Sequence, residues 1–172
     1  MDFLKLAADR FSVRSFKPKP VEQEKIDLIM KAAPLAPTAV NYQPQMIYLL
    51  KSETALKKIR AITASTYEAP MVFMICVDEN RAWKSKTEPG YSTGEMDASI
   101  VATHMMLEAW ELGVGSVWVR LFDVKKVAAA FELPTNIRPV CLLPIGYAAE
   151  DCTPYAPWHY VYRPIENFFE VL

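Results

Sequence analysis

The eight residues Pro70-Met71-Val72-Phe73-Met74-Ile75-Cys76-Val77 carry no charge and are apolar throughout. A strand with one wet face alternates polar and apolar positions, whereas a run that is apolar at every position has to bury both faces. Residues 70–77 therefore predict a central strand, rich in β-formers and covered on both sides.

Other segments alternate helix and strand around it. Residues 3–9 predict a short helix. A second spans 21–33, with Ile26, Ile29, Met30 and Ala33 at helical spacing between Pro20 and Pro34. After a loop over 34–44, the run Met46-Ile47-Tyr48-Leu49-Leu50 has strand length. Ser52 is placed as N-cap of a helix through about Ile62. Residues 78–95 contain Pro89, Gly90, Ser92 and Gly94 among charges and read as a long loop, a candidate pocket lid. Residues 96–112 carry the strongest helical pattern, apolar nearly all round and closed by Gly113, as a buried central helix requires. Then come a strand over 114–119 and a helix over 124–131 capped by Asp123. A strand over 138–145 holds Pro139 and Pro144, so edge position or irregularity is expected.

Composition narrows the function classes. With 172 residues, 52% hydrophobic and 23% charged, residues 1–172 read as one domain with a sizeable core. A net charge of −1 without a long basic run gives no electrostatic reason to expect nucleic acid or an anionic membrane. The apolar runs are too short to span a bilayer, and the first residues lack the pattern of a secretion signal, so a cytoplasmic protein is expected. Cys76, Cys141 and Cys152 have no Cys-x-x-Cys spacing and read as core side chains, not a metal or disulfide set. His104, alone on an apolar helix, reads as a core or interface residue.

Two polar segments stand apart. In Arg10-Phe11-Ser12-Val13-Arg14, residues two apart share a face if the run is extended, so Arg10, Ser12 and Arg14 converge. On a helix Arg10 and Arg14 still pair but Ser12 turns away. Arginine forks with a hydroxyl suit a phosphorylated small ligand, although the same residues could be solvated charges after a short helix. The second segment, Ala36-Pro37-Thr38-Ala39-Val40-Asn41-Tyr42-Gln43-Pro44, is a polar, proline-bounded loop.

Together these segments resemble the nitroreductase family of flavin mononucleotide (FMN) enzymes. In that family an Arg/Ser/Arg cluster follows the first helix, and a Ser-Ala-x-Asn-x-Gln-Pro-like loop follows the second. Leu112-Gly113-Val114-Gly115-Ser116-Val117-Trp118 is similar to its Leu-Gly-x-Gly-x-x-Trp segment, Leu143-Pro144-Ile145-Gly146-Tyr147 to its Leu-Pro-x-Gly-Tyr loop, and Arg163-Pro164-Ile165-Glu166 to its Arg-Pro-x-Glu stretch. The likeness covers nearly the whole chain. Phe11 stands where a basic residue or histidine is common, Gln45 where tryptophan is common, and Arg120 where glycine is frequent.

The resemblance implies an α+β fold with a mixed β-sheet flanked by helices, assembled as an intimate homodimer with two shared flavin sites. It implies cofactor binding by Arg10, Ser12, Arg14, Pro37, Thr38, Ala39, Asn41, Gln43, Pro144, Ile145, Gly146 and Arg163. The first three come from one chain and the 37–43 loop from the other, while the Pro144-Ile145-Gly146 loop offers backbone N–H groups to the ring and Arg163 adds a second phosphate contact. The implied activity is reduction of nitroaromatic, quinone or similar small acceptors by NAD(P)H, in ping-pong fashion through flavin N5, with no catalytic side chain beyond the cofactor set. With five glycines and no Gly-x-Gly-x-x-Gly run, NAD(P)H is expected to be a transient co-substrate. The alternatives are a flavin-binding sensor or carrier with little turnover, and a flavin enzyme of the same scaffold with other chemistry such as reductive dehalogenation. The aromatic tail, with Trp158, His159, Tyr160 and Tyr162, could line a flat ligand or wrap a partner subunit, and wrapping is the preferred reading.

Overall fold

The computed structural model describes residues 2–172. The apolar run forms the middle of β2 (Met71–Asp78), whose first seven residues are all buried. Beside it on one side runs β1 (Gln45–Leu50), and on the other β4 (Ile137–Gly146), which carries the two-residue β3 (Gly115–Ser116) on its far edge. These four strands pair antiparallel in the order β1-β2-β4-β3. The parallel component is the bridge between Ser12 and Ser116, which brings the Arg10–Arg14 run to the sheet beyond β3.

Both faces of the sheet are covered, as β2 demands. On one, Phe73, Ile75, Leu143 and Ile145 pack with Ile26 and Ile29 of helix α2 (Gln23–Ala32) and with Val101 and Met105. The last two belong to the long helix α4 (Gly94–Glu111), which follows α1 (Phe3–Asp9), α2 and α3 (Glu53–Arg60). On the other face Val72, Met74 and Leu142 meet Leu56 and Ile59 of α3 and Val127 of α5 (Val124–Ala130). The Ser52 and Asp123 side chains cap α3 and α5 by accepting from the Ala55 and Lys126 amides, as expected.

Two strand expectations need correction. The 138–145 strand is central, lying between β2 and β3, so of the two expected alternatives edge position fails and irregularity holds, as a register shift against β2. It keeps its prolines because Pro139 sits at the register shift opposite Ile75 and Cys76, while Pro144 faces β3, whose pairing is already broken. The 114–119 strand shrinks to β3 and an isolated bridge from Val119 to Leu142. The tail contains a short helix, α6 (Ala156–His159), in place of a segment without period. Among the described residues no helix is long and apolar enough to cross a membrane.

Candidate functional site

The Arg10–Arg14 run is extended, so the strand alternative holds. Val13 is fully buried and its amide bonds the Ser116 carbonyl at 3.0 Å, which turns Ser12 and Arg14 away from Val13's side. Arg10, Ser12 and Arg14 then line one cavity of about 270 Å³ with Ala7, Phe11, Tyr155, Trp158, His159 and Tyr162. None of these lining residues is acidic. Burial holds the Arg10 guanidinium below its ordinary pKa, against the opposing influence of Tyr162. A half-buried cation walled by aromatic rings, with a hydroxyl alongside, is chemically prepared for an anion carrying a flat ring system.

Phe11 has a use that its sequence position did not disclose. Its ring meets Trp110 of α4 edge-on at 5.2 Å and His159 of α6 at 6.2 Å. The aromatic tail is thereby held over the arginines and becomes part of the cavity wall. Arg14 also borders an adjoining cavity of about 390 Å³ with Ser12, Cys152 and Trp158. Arg163 does not join Tyr162 in the first cavity, and its guanidinium donates to the Asn167 carbonyl of its own segment.

The 37–43 loop is not among the residues lining the arginine cavity. It consists of tight turns in which Val40, Asn41 and Gln43 adopt φ of 53°, 54° and 49°. Thr38 Oγ1 accepts the Gln43 amide at 3.1 Å, and Gln43 Nε2 donates to Asn41 Oδ1 at 3.0 Å. Asp97, which sequence reasoning missed, receives the Ala39 amide at 2.9 Å. Only its acidic identity inside the apolar 96–112 helix could have drawn notice.

Pro144, Ile145 and Gly146 are not a loop. They end β4, are buried, and pair with β3 and β2, so the sheet fixes their place beside the arginine run. The close approach that Gly146 allows is internal, since a Cβ there would stand 2.8 Å from Pro70 Cδ and 3.0 Å from Phe16. Their tie to the arginine run is indirect: Ile145 pairs with Ser116, which in turn bridges Ser12.

The sequence profile of the nitroreductase family matches residues 7–68 and 61–147, which contain both polar segments and all four strands. The chain belongs to the nitroreductase family. A crystal structure of a nitroreductase family protein from Clostridium difficile superposes with a TM-score of 0.92 at 31% identity, covering 99% of this chain and 98% of the other. FMN reductase [NAD(P)H] of Bacillus subtilis is 27% identical over 166 residues, 87% of this chain and 67% of its own length. An NADPH-dependent oxidoreductase of Staphylococcus aureus is 25% identical over 178 residues, 92% and 71% of the respective chains. In this nitroreductase-family chain the five quoted motifs fall on the Arg10–Arg14 run and the adjoining strands β3 and β4, one loop and the C-terminal segment.

Proposed function

We propose that this chain is an FMN-dependent NAD(P)H oxidoreductase that reduces nitroaromatic, quinone or similar small acceptors. The observation that carries the reading is the cavity in which Arg10, Ser12 and Arg14 meet aromatic side chains without an acidic neighbour. Its donors fit a phosphate and its walls fit a planar ring. When bound, FMN supplies the redox chemistry by taking hydride from NAD(P)H and passing electrons to the acceptor. The arginines and Ser12 hold the phosphate, while Tyr155, Trp158 and Tyr162 exclude water from the slot. Ile145 and Gly146 act from behind, setting the position of Ser12 through Ser116.

The second wall comes from another copy of the chain, in this reading. Phe3 and Leu4 on α1, Met96 and Ile100 on α4, and Leu35 in the turn after α2 leave apolar surface exposed, and the tail exposes Trp158, Ile165, Phe168 and Phe169. A homodimer covers these surfaces and brings Pro37, Thr38, Ala39, Asn41 and Gln43 of one chain to the arginines of the other.

Purified protein is expected to be yellow, to release FMN on denaturation, and to bleach on anaerobic mixing with NADPH or NADH. Colour should return on adding a quinone or nitroaromatic. A protein that fails to retain FMN, or that retains it and does not bleach, overturns this function. Sedimentation should give a dimer with FMN bound, and a folded monomer that binds one FMN per chain overturns the shared site.

A further inference from the structure

We propose that Asp97 is a positioning residue for the flavin slot, acting through the 38–43 loop that it holds in a strained conformation. The inference rests on the reading above that this loop lines the slot. Asp97 lies in the first turns of α4 and is only 3% exposed. Its two oxygens have separate work: Oδ1 accepts the Ala39 amide at 2.9 Å, and Oδ2 accepts the Thr93 hydroxyl at 2.9 Å. A buried carboxyl group without donors is costly, so this one is sustained by the two bonds and by the positive end of the helix. Neighbouring Ala98, Val101 and Ala102 are fully buried, which gives the group a rigid base.

What Asp97 holds is unusual. Three of the four residues from Val40 to Gln43 are in the left-handed region without being glycine. For Asn41 this is tolerable, but Val40 is β-branched and is 67% exposed, so packing does not compensate its side chain. Conformations of this kind persist where surrounding contacts over-determine them. The contacts here are the Thr38 hydroxyl and the Gln43–Asn41 side-chain bond from within the loop, and from outside it the buried Asp97 and the exposed Arg81, whose guanidinium donates to the Tyr42 carbonyl at 3.1 Å. Asp97 is the buried link that refers the Ala39 end of the loop to the core, so it sets where Thr38, Ala39 and Asn41 stand before any ligand arrives. Its contribution to FMN affinity is pre-organisation, not contact.

The test uses the full chain and four variants, with FMN affinity from fluorescence titration and amide exchange measured on flavin-free protein. Asp97→Ala should bind FMN about tenfold more weakly, the scale of a buried donor left without its partner, and its Ala39 amide should exchange faster than in the parent. Asp97→Asn keeps an oxygen for the Ala39 amide and should stay within about threefold of the parent. Placing Val40→Gly in the Asp97→Ala background should recover about threefold of the loss, because glycine takes a φ near 53° without strain. A general loss of packing would not be rescued in this way. If Asp97→Ala does not fold, Thr93→Val, which removes only the outer bond, should show a smaller loss of the same kind. Parent-like FMN affinity in folded Asp97→Ala, or no recovery with Val40→Gly, overturns the proposal. A parent that binds no FMN overturns the flavin reading and this role with it, whereas unchanged exchange at Ala39 in a parent that does bind FMN overturns the anchoring alone.

Discussion

The Val13 amide donates to the Ser116 carbonyl at 3.0 Å, and this one bond sets the phase of the Arg10–Arg14 run. With Val13 fixed inward, Ser12 and Arg14 fall outward and join the half-buried Arg10 around the cavity. The same place in the sheet requires Gly115, because a Cβ there would lie 2.6 Å from Val13 Cγ2. Core packing and anion recognition are therefore coupled through a single residue.

Replacing Arg10 by alanine should weaken FMN binding by about thirtyfold, the cost of losing a bidentate charge-assisted contact, and the variant should purify pale. Equilibrium titration against the parent measures it. An Arg10→Ala protein with parental affinity would remove the phosphate from this cavity.

Gly115→Ala should destabilise the chain by about 1–3 kcal/mol through overpacking against Val13. The midpoint of urea unfolding should fall, and Val13→Ala in the same background should restore part of it by making room for the new methyl group. Failure of the second change to compensate would mean that the crowding at 115 lies against the Gly146 carbonyl, 3.2 Å from the same Cβ, rather than against Val13.

The thiols should separate by reactivity. Burial pushes Cys76 and Cys141 each up to about 12 from an ordinary 9.0, while Cys152 is partly exposed. Native protein should take up one equivalent of iodoacetamide per chain, at Cys152, and three after denaturation. Because the folded pKa values are raised, the neutral thiols contribute stability that is complete below pH 9 and is lost as pH climbs from about 9 towards about 12. Unfolding free energy measured across that window should decline, with Cys76→Ala or Cys141→Ala flattening the decline.

Much of this was legible because it is local. The uniform apolarity of residues 70–77 announces β2, the periodicity of 96–112 announces α4, and Ser52 and Asp123 cap their helices by contacts three residues away. The Arg/Ser/Arg convergence was legible for the same reason, as a period-two pattern. What was hidden depends on partners distant in sequence. β3 is cut short beside Pro144 of β4, which has no amide hydrogen to donate, β4 keeps its central place because a bulge accommodates Pro139, and Asp97 finds its partner in an amide 58 positions earlier. The aromatic wall was only half legible, since Phe11 and His159 meet across nearly the whole chain.

Arg120 should govern which acceptor is reduced. Its guanidinium carbon lies 5.2 Å from the centroid of the Phe122 ring, so the charge is held at the surface by a cation–π contact and turned from the core. The turn carrying it is pinned from below, where the Thr63 hydroxyl donates to the Leu121 carbonyl at 2.7 Å, and it presents Trp118 and Leu121 as exposed apolar neighbours. A fixed cation beside apolar surface favours acceptors with a negative or strongly electron-rich group over neutral ones. Arg120→Gly should therefore change the ratio of kcat/KM between an anionic nitroaromatic and a neutral quinone by about tenfold in favour of the quinone, the effect of one removed charge contact, while FMN content and the rate of flavin reduction by NAD(P)H stay close to the parent's. Stopped-flow measurement of the two half-reactions separates these outcomes. Collapse of the reductive half-reaction with an unchanged acceptor ratio would instead make Arg120 part of the nicotinamide or flavin site.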